Sequence, residues 1–132
     1  MIISGKNVVR VNAVEDALIN ATDLFATISE LAGNNTPTIN DSVSFLDLLT
    51  SSNVQSRDFI YAERGAVATP DYTIRNQTHK YIRFDNGNQR FFNLIDDPFE
   101  NTNLLNANQL PLSNEDSTVL DELINEIDAI RN

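Results

Sequence analysis

The segment "HKYIRFDNGNQRFFNL" (residues 79–94) constrains the fold more than any other stretch of this chain. It sets an apolar, aromatic stretch on each side of the dipeptide Asn86-Gly87. Asn-Gly between two alternating stretches is a strong local signal for a type I′ turn of two residues. The sequence therefore predicts an antiparallel hairpin at this position.

A two-residue turn would also fix the register of that hairpin. It would place Arg83 opposite Arg90 on one face and turn Ile82 and Phe84 to the other face. Directly opposed arginines repel each other unless a negative group lies nearby. Asp85 on the same face is one source of that charge, and a bound anion is the other. The Ile82 and Phe84 face is then the predicted floor for a helix.

Four segments predict the strands of a small sheet. They are rich in Tyr, Ile and Phe and are separated by turn residues, which is typical of an antiparallel meander: "RDFIYAE", "DYTIRN", "HKYIRF" and "QRFFNL". The last segment, "STVLDELINEIDAI", has an apolar stripe at helical spacing, and Ser113 with Asp116 three positions on resembles a capping box. The predicted fold class is α+β: a small antiparallel four-stranded sheet with a C-terminal helix near 114–130 packed on one face, plus an N-terminal strand and helix.

The segment "TDLFATISELAG" predicts the N-terminal helix, about three turns long. Gly33 stands where a left-handed residue commonly ends a helix. One face of this helix carries an apolar stripe of Leu24, Phe25, Ile28 and Leu31. The following "NNTPTINDSV" is predicted to be irregular because of its Pro, Asn and Thr content, and "SFLDLL" to form a short helical turn.

Length and composition limit the class of protein. With 132 residues we expect one domain over 1–132, with a strand and helix in 1–35 and the sheet and C-terminal helix in 57–132. Zero cysteines exclude disulfides, a thiol nucleophile and a cysteine-ligated metal. No apolar run approaches the ~20 residues of a membrane helix, so we expect no membrane partner. The first residues do not read as a signal peptide.

The chain is acidic, and its charge is unevenly distributed along the sequence. A net charge of −10 argues against a nucleic acid partner, because phosphate binding depends on Lys and Arg. Residues 57–90 hold six basic and four acidic side chains and sum to +2, whereas the remainder holds three basic and fifteen acidic side chains and sums to −12. Two interpretations stay open: a solvated sheet face beside an acidic helix, or a sheet face that meets an anion.

Taken alone, the residues show no active site, and we predict neither a catalytic residue nor a metal site. His79 is the single histidine, so a histidine pair for a metal or a relay cannot form. Asp96-Asp97 is better explained as part of a turn in which Pro98 presets the backbone and an Asp side chain accepts from following amides.

Read in order, "ALINATDLFATISELAG", "DSVSFLDLL", "RDFIYAE" and "HKYIRFDNGNQRFFNLIDDPFENTNLL" resemble the C-terminal part of a type I sulfatase of the alkaline phosphatase superfamily. The resemblance covers residues 2 to 105, and its last part is specific because hairpin, turn and Asn-Leu segment follow in the family's order. Two departures are Ala26, where the family usually has proline, and Val43, where it has glycine. The positions that match the family's motifs are Asp23, Gly33, Asp97, Pro98, Glu100, Asn103 and Leu104.

The resemblance also shows which parts of such an enzyme the sequence lacks. It contains neither Cys-x-Pro-x-Arg nor Ser-x-Pro-x-Arg, from which a formylglycine nucleophile would be made. The N-terminal Asp-Asp pair and the later Asp-Asn pair that would bind a divalent cation such as calcium are also missing. The resemblance therefore implies no cofactor in this chain and no activity of the chain alone. It implies Arg75, His79 and Arg83 as the side chains that would face a sulfated substrate.

Two hypotheses follow from the resemblance. In the first, the chain is the C-terminal subdomain or fragment of a sulfatase-like hydrolase, and its partner is a missing N-terminal catalytic domain. In the second, it is an autonomous module that binds a sulfated carbohydrate or assembles with itself or with a separate catalytic chain. In both, the Leu24, Phe25, Ile28 and Leu31 stripe is the expected interface. If the chain is part of an exported sulfatase, its location is periplasmic or extracellular.

Overall fold

The computed structural model describes residues 1–34, 38–52, 54, 57–65, 68 and 70–131. The chain divides into two compact units, Met1–Asp58 and Phe59–Asn132. The division falls beside residue 57, where the sheet-bearing part was predicted to begin. That the whole chain acts as one domain stays a prediction.

The described part of unit 1 (Met1–Asp58) contains the α-helix α1 at Asp23–Leu31. Gly33 follows it with φ +93°, the left-handed conformation that the sequence predicts. The helix buries Asp23, Ala26 and Thr27, which are spaced three and four residues apart and so share one face. The predicted short helical turn is a 3₁₀ helix at Leu46–Leu49.

Two expectations for unit 1 are wrong. Residues 1–22, all of them described, contain no strand, so the predicted N-terminal strand is absent. A strand needs a neighbour for its backbone hydrogen bonds, and no described residue forms a strand pair with Ile2 and Ile3. The segment predicted to be irregular contains instead a short ribbon in which β1, Thr38–Ile39, pairs with β2, Ser42–Val43, across Asn40 at φ +53°.

Unit 2 (Phe59–Asn132) has the predicted α+β architecture. Its four strands pair in chain order as an antiparallel meander: β3 Ile60–Arg64, β4 Asp71–Arg75, β5 His79–Arg83 and β6 Gln89–Asn93. The helix α2 spans Asn114–Arg131. Its start is capped as predicted, since the Asp116 N–H donates to Ser113 Oγ at 3.0 Å.

The core of unit 2 lies between α2 and one face of the sheet. Ile74, Tyr81 and Phe91 from three successive strands meet Leu123 and Ile127 of α2, and all five are at most 3% exposed. Leu123 and Ile127 are four positions apart and so project from the same side of α2. Removing this apolar surface from water holds the helix on the sheet.

The register of the β5–β6 hairpin differs from the prediction. Arg83 pairs with Gln89 and Ile82 with Arg90, one residue away from the expected pairing. The turn has three residues, because the Phe84 N–H donates to the Asn88 carbonyl and only Gly87, at φ +83°, takes a left-handed conformation. A type I′ turn would need a positive φ at Asn86 as well.

This shift exchanges the side chains that face α2. The helix covers the face of Tyr81 and Phe91, not the predicted face of Ile82 and Phe84, because a slip of one residue reverses the relation between two paired strands. The expected pair of directly opposed arginines does not form. The argument for an anion bound between them therefore loses its basis.

Candidate functional site

In unit 1, the buried carboxylate of Asp23 joins three segments of chain. Asp23 accepts hydrogen bonds from the N–H of Asn20 at 2.6 Å, from the N–H of Val43 at 2.9 Å and from Arg57 Nε at 2.9 Å. Arg57 Nη2 approaches the same carboxylate at 2.5 Å and also donates to the Asp41 carbonyl. This motif position therefore fixes the start of α1 against the loops that follow it.

The electrostatics of Asp23 follow from these contacts. Burial of the carboxyl opposes ionisation, but the hydrogen bonds from Arg57 and from the Val43 and Asn20 amides outweigh it, so the pKa of Asp23 lies below its usual 3.8. The same pairing raises the pKa of Arg57 above its ordinary value. Asp23 is therefore ionised in the folded protein at neutral pH.

Sequence reasoning missed Arg57 as the partner of Asp23. A signal for it exists, because Arg57 is the only basic residue between Arg10 and Arg64. A buried carboxylate requires a cation or several donors. Few basic residues of unit 1 could therefore have been the partner of Asp23.

The apolar stripe of α1 faces away from the interior of unit 1. The exposed fractions of its side chains are 40% for Leu24, 61% for Phe25, 62% for Ile28 and 52% for Leu31. The buried face of the helix is instead the Asp23, Ala26 and Thr27 side. Apolar residues clustered in this way on a surface are typical of a docking site.

The structure does not bring the three predicted substrate-facing residues together. Arg75 projects from the sheet face opposite α2, since it pairs with Lys80, whereas His79 and Arg83 lie on the α2 side with Tyr81. The guanidinium of Arg75 donates to the Asn76 carbonyl at 3.2 Å, and Arg83 Nη1 lies 3.4 Å from the Tyr72 hydroxyl. A substrate role for these residues stays a prediction.

His79 is buried and engaged within unit 2. It is 3% exposed and stacks on Phe91 with ring centroids 5.1 Å apart. Its Nε2 donates to Asp116 at 2.9 Å, and its Nδ1 lies 2.8 Å from Thr78 Oγ1. Asp116 also accepts from Ser113 at 2.6 Å, so the histidine ties strand β5 to the capped start of α2. This geometry gives the substrate role no support.

The predicted turn after β6 is built around Asp97. Its carboxylate accepts hydrogen bonds from the N–H of Thr102 at 2.7 Å and from Asn101 Nδ2 at 3.0 Å. These hydrogen bonds hold the pKa of Asp97 below its usual value. Pro98 follows it and presets the backbone of the turn. The turn therefore has a structural explanation without a metal.

Asn103 and Leu104 complete the outer edge of β6. The Phe91 N–H donates to Asn103 Oδ1 at 2.9 Å, and the Leu104 N–H donates to the Phe91 carbonyl at 2.9 Å. Asn103 Oδ1 also accepts from the Leu105 N–H at 3.1 Å. The Asn-Leu segment thus satisfies backbone groups that an edge strand would otherwise leave open.

Ion pairs neutralise part of the positive charge of residues 57–90. Lys80 Nζ lies 2.8 Å from Glu100, a motif residue at φ +58°, and Arg64 lies 2.7 Å from Asp71. Across the described part of the chain, Arg75, Arg83 and Arg90 form no ion pair within 4.0 Å. These three are the cations left for an anionic ligand.

The residues do not fit the cofactors of a complete sulfatase. Among the described residues no group of three His, Cys, Asp or Glu side chains could hold a metal ion. The sequence has no cysteine and no Ser-x-Pro-x-Arg for a formylglycine. The same described residues include no helix long and apolar enough to cross a membrane.

Comparison with known proteins identifies the family of the chain. The family model for N-sulphoglucosamine sulphohydrolase, C-terminal, matches residues 1–131. The chain belongs to this family. This membership confirms the predicted resemblance to the C-terminal part of a type I sulfatase.

Two curated relatives agree with this assignment. An arylsulfatase of Clostridium perfringens is 28% identical over 97 residues, which cover 73% of this chain and 20% of the relative. An ulvan-active sulfatase of Formosa agariphila is 32% identical over 82 residues, which cover 58% of this chain and 16% of the relative. The chain thus spans a fifth or less of the curated relatives it matches.

Solved structures agree on the fold. One was determined in complex with its substrate, D-glucosamine-2-N,6-O-disulfate; it superimposes with a TM-score of 0.64 at 20% identity. The superposition covers 83% of this chain and 23% of that one. The fold of this chain is therefore shared with part of that solved structure.

Proposed function

We propose that this chain serves as the C-terminal subdomain of a sulfate-ester hydrolase and has no hydrolase activity by itself. The observation that carries the proposal is the exposed α1 stripe on a chain that spans only 20% of a related arylsulfatase. An apolar helix face of this kind is expected to be covered in a complete enzyme. The partner is then the catalytic part of the sulfatase, and the stripe is its contact surface.

The substrate class of the complete enzyme would be a sulfated carbohydrate. Support comes from the structural neighbour that was solved with a sulfated glucosamine. Arg75 and Arg83, on opposite faces of the sheet, form no ion pair with any described residue, so either one is available to an anion. Guanidinium groups form paired hydrogen bonds with the oxygens of such anions. The divalent cation and the formylglycine would both be supplied by the catalytic part.

An activity assay tests the first half of this proposal. The purified chain is incubated with an aryl sulfate and with a sulfated glucosamine, with calcium and with a chelator. The sequence has no formylglycine motif, and the described residues include no group of side chains that could hold a metal ion. We therefore expect hydrolysis at background in every arm. Calcium-dependent turnover by a clean preparation would overturn the proposal.

A second candidate function is an autonomous module that assembles with itself. The exposure of Phe25 and Ile28 favours it equally, since a second copy could cover the same stripe. Co-purification separates the two functions. A catalytic sulfatase fragment that binds the chain and displaces its self-association supports the subdomain, and a fragment without effect supports the module.

A further inference from the structure

The tip of the β5–β6 hairpin borders an open groove of about 420 Å³ that none of the motif arguments explains. It lies within unit 2, between the hairpin turn and the segment that follows Asn103. Its lining residues are Phe84, Asn86, Asn88, Gln89, Arg90, Asn103 and Asn106.

The chemistry of this groove is unusual for a surface of so acidic a chain. Of the seven lining residues, five are Asn or Gln, one is Arg and one is Phe, and none carries a carboxylate. A side-chain amide offers both donors and acceptors, as a sugar hydroxyl does. A guanidinium adds charge-assisted donors for an anionic oxygen. The groove therefore matches a hydroxylated, negatively charged ligand.

The backbone around the groove is fixed by its own hydrogen bonds. Asn86 Oδ1 accepts from the Asn88 N–H at 3.0 Å, which holds the turn. Asn103 Nδ2 donates to the Gln89 carbonyl at 3.2 Å and lies 3.3 Å from Asn106 Oδ1, which joins the second wall to β6. Ligand binding would therefore cost little ordering of the main chain.

Several polar groups in the groove are available to a ligand. Within the described chain, the side-chain amide of Asn88 has no hydrogen-bond partner, and Arg90 has no ion pair. The Arg90 guanidinium lies 5.2 Å from the centroid of the Phe84 ring. This contact orients the cation at the groove without neutralising it.

We propose that the hairpin-tip groove is an accessory site for a sulfated sugar unit of a polymeric ligand. In it, Arg90 binds the sulfate group, and the Asn88 amide, which lies on the same face of the hairpin, binds a neighbouring hydroxyl. The inference rests on the proposed function for its ligand class but not for its location, which the groove alone determines. The site has no catalytic role, because no nucleophile or carboxylate lines it. Its effect would be to hold one unit of the polymer while another is processed.

The test is binding to the whole chain, measured by calorimetry and by amide NMR. The probes are an N- and O-sulfated glucosamine oligosaccharide, its N-acetylated and O-desulfated counterpart, and sodium sulfate. We expect the sulfated oligosaccharide to bind and to shift the signals of residues 86–90 and the Asn and Gln side-chain amides. We expect Arg90→Gln to weaken its binding about tenfold or more.

Arg64→Gln is the matched control. It removes the same charge from an exposed position on β3, at the other edge of the sheet from β6, and should leave the affinity within about twofold. Equal binding by Arg90→Gln and the original chain, shifts confined to other residues, or absence of binding would overturn the proposal. Equal binding of the desulfated sugar or of free sulfate would overturn the assignment of a sulfated sugar. Because no arm measures hydrolysis, these results are separate from the test of the proposed function.

Discussion

At the scale of single residues, the stability of unit 1 depends most on Asp23. Its side chain is 2% exposed and holds Arg57 in a pair of hydrogen bonds. We predict that Asp23→Asn destabilises this unit by roughly 2–3 kcal/mol, somewhat less than the ~3–5 kcal/mol of a fully buried pair, because Arg57 retains contact with water. Urea unfolding followed through the amide NMR signals of α1 measures the effect.

Asp47→Asn is the control for that substitution. Asp47 is an exposed carboxylate in the same unit, so the change should stay within about 0.5 kcal/mol. Equal stabilities of Asp23→Asn and Asp47→Asn would contradict the central role of the Asp23 and Arg57 pair.

The pH dependence of unit 1 has a definite sign. Because the folded protein holds the pKa of Asp23 below 3.8, the unfolded chain takes up the proton first, and the pair stabilises the fold fully above that value. We predict that the difference in unfolding free energy between the original chain and Asp23→Asn is constant near neutral pH. It should shrink as the pH falls below 3.8 and through the lower folded pKa. A difference that grows on acidification would have the wrong sign.

At the scale of elements, the hairpin depends on the backbone of Gly87. Its φ of +83° is strained for a residue with a Cβ, although no atom within 4 Å would contact that Cβ. We therefore predict that Gly87→Ala costs about 1–2 kcal/mol through backbone strain alone. Gly87→Asn should cost less, because asparagine tolerates this conformation better. Chemical unfolding of unit 2 compares the two, and an Ala variant as stable as the Asn variant would argue against the three-residue turn.

Elements with local signals were predictable, and so was the antiparallel meander of the four strands, whereas the register of the β5–β6 hairpin was not. The capping residues Ser113 and Asp116 and the spacing of Leu123 and Ile127 fixed α2 almost to the residue. The type of turn depends on the φ angle of Asn86, which the dipeptide Asn-Gly does not determine. The wrong turn type shifted the predicted register by one residue and so reversed the predicted face for α2. Contacts distant in sequence, such as His79 with Asp116, left no periodic signal.

At the scale of the whole molecule, the family resemblance singled out motif positions that hydrophobic periodicity does not indicate. Motif positions such as Asp97 and Asn103 proved to be turn and edge contacts, which explains why these residue types follow a hairpin. The predicted N-terminal strand is absent from residues 1–22, where no described residue supplies a paired neighbour. The sequence likewise does not show that His79 is buried, and the prediction that it faces a substrate was made without that information.

The central claim about the molecule as a whole is that the exposed stripe of α1 is a docking surface. Without a catalytic part to cover Leu24, Phe25, Ile28 and Leu31, we predict that the isolated chain self-associates, most simply as a two-fold dimer. Phe25→Asp places a charge in the middle of that surface and should shift the chain to monomer. Phe99→Asp changes another phenylalanine, 83% exposed in the turn of unit 2 and outside the stripe, and should leave the association unchanged.

Sedimentation velocity over a concentration series is the most direct measurement of this claim, with circular dichroism to confirm that each variant is folded. The account predicts a concentration-dependent dimer for the original chain and for Phe99→Asp, and a monomer for folded Phe25→Asp. An original chain that stays monomeric at high concentration, or a folded Phe25→Asp that associates as strongly as the original, would contradict a docking role for α1.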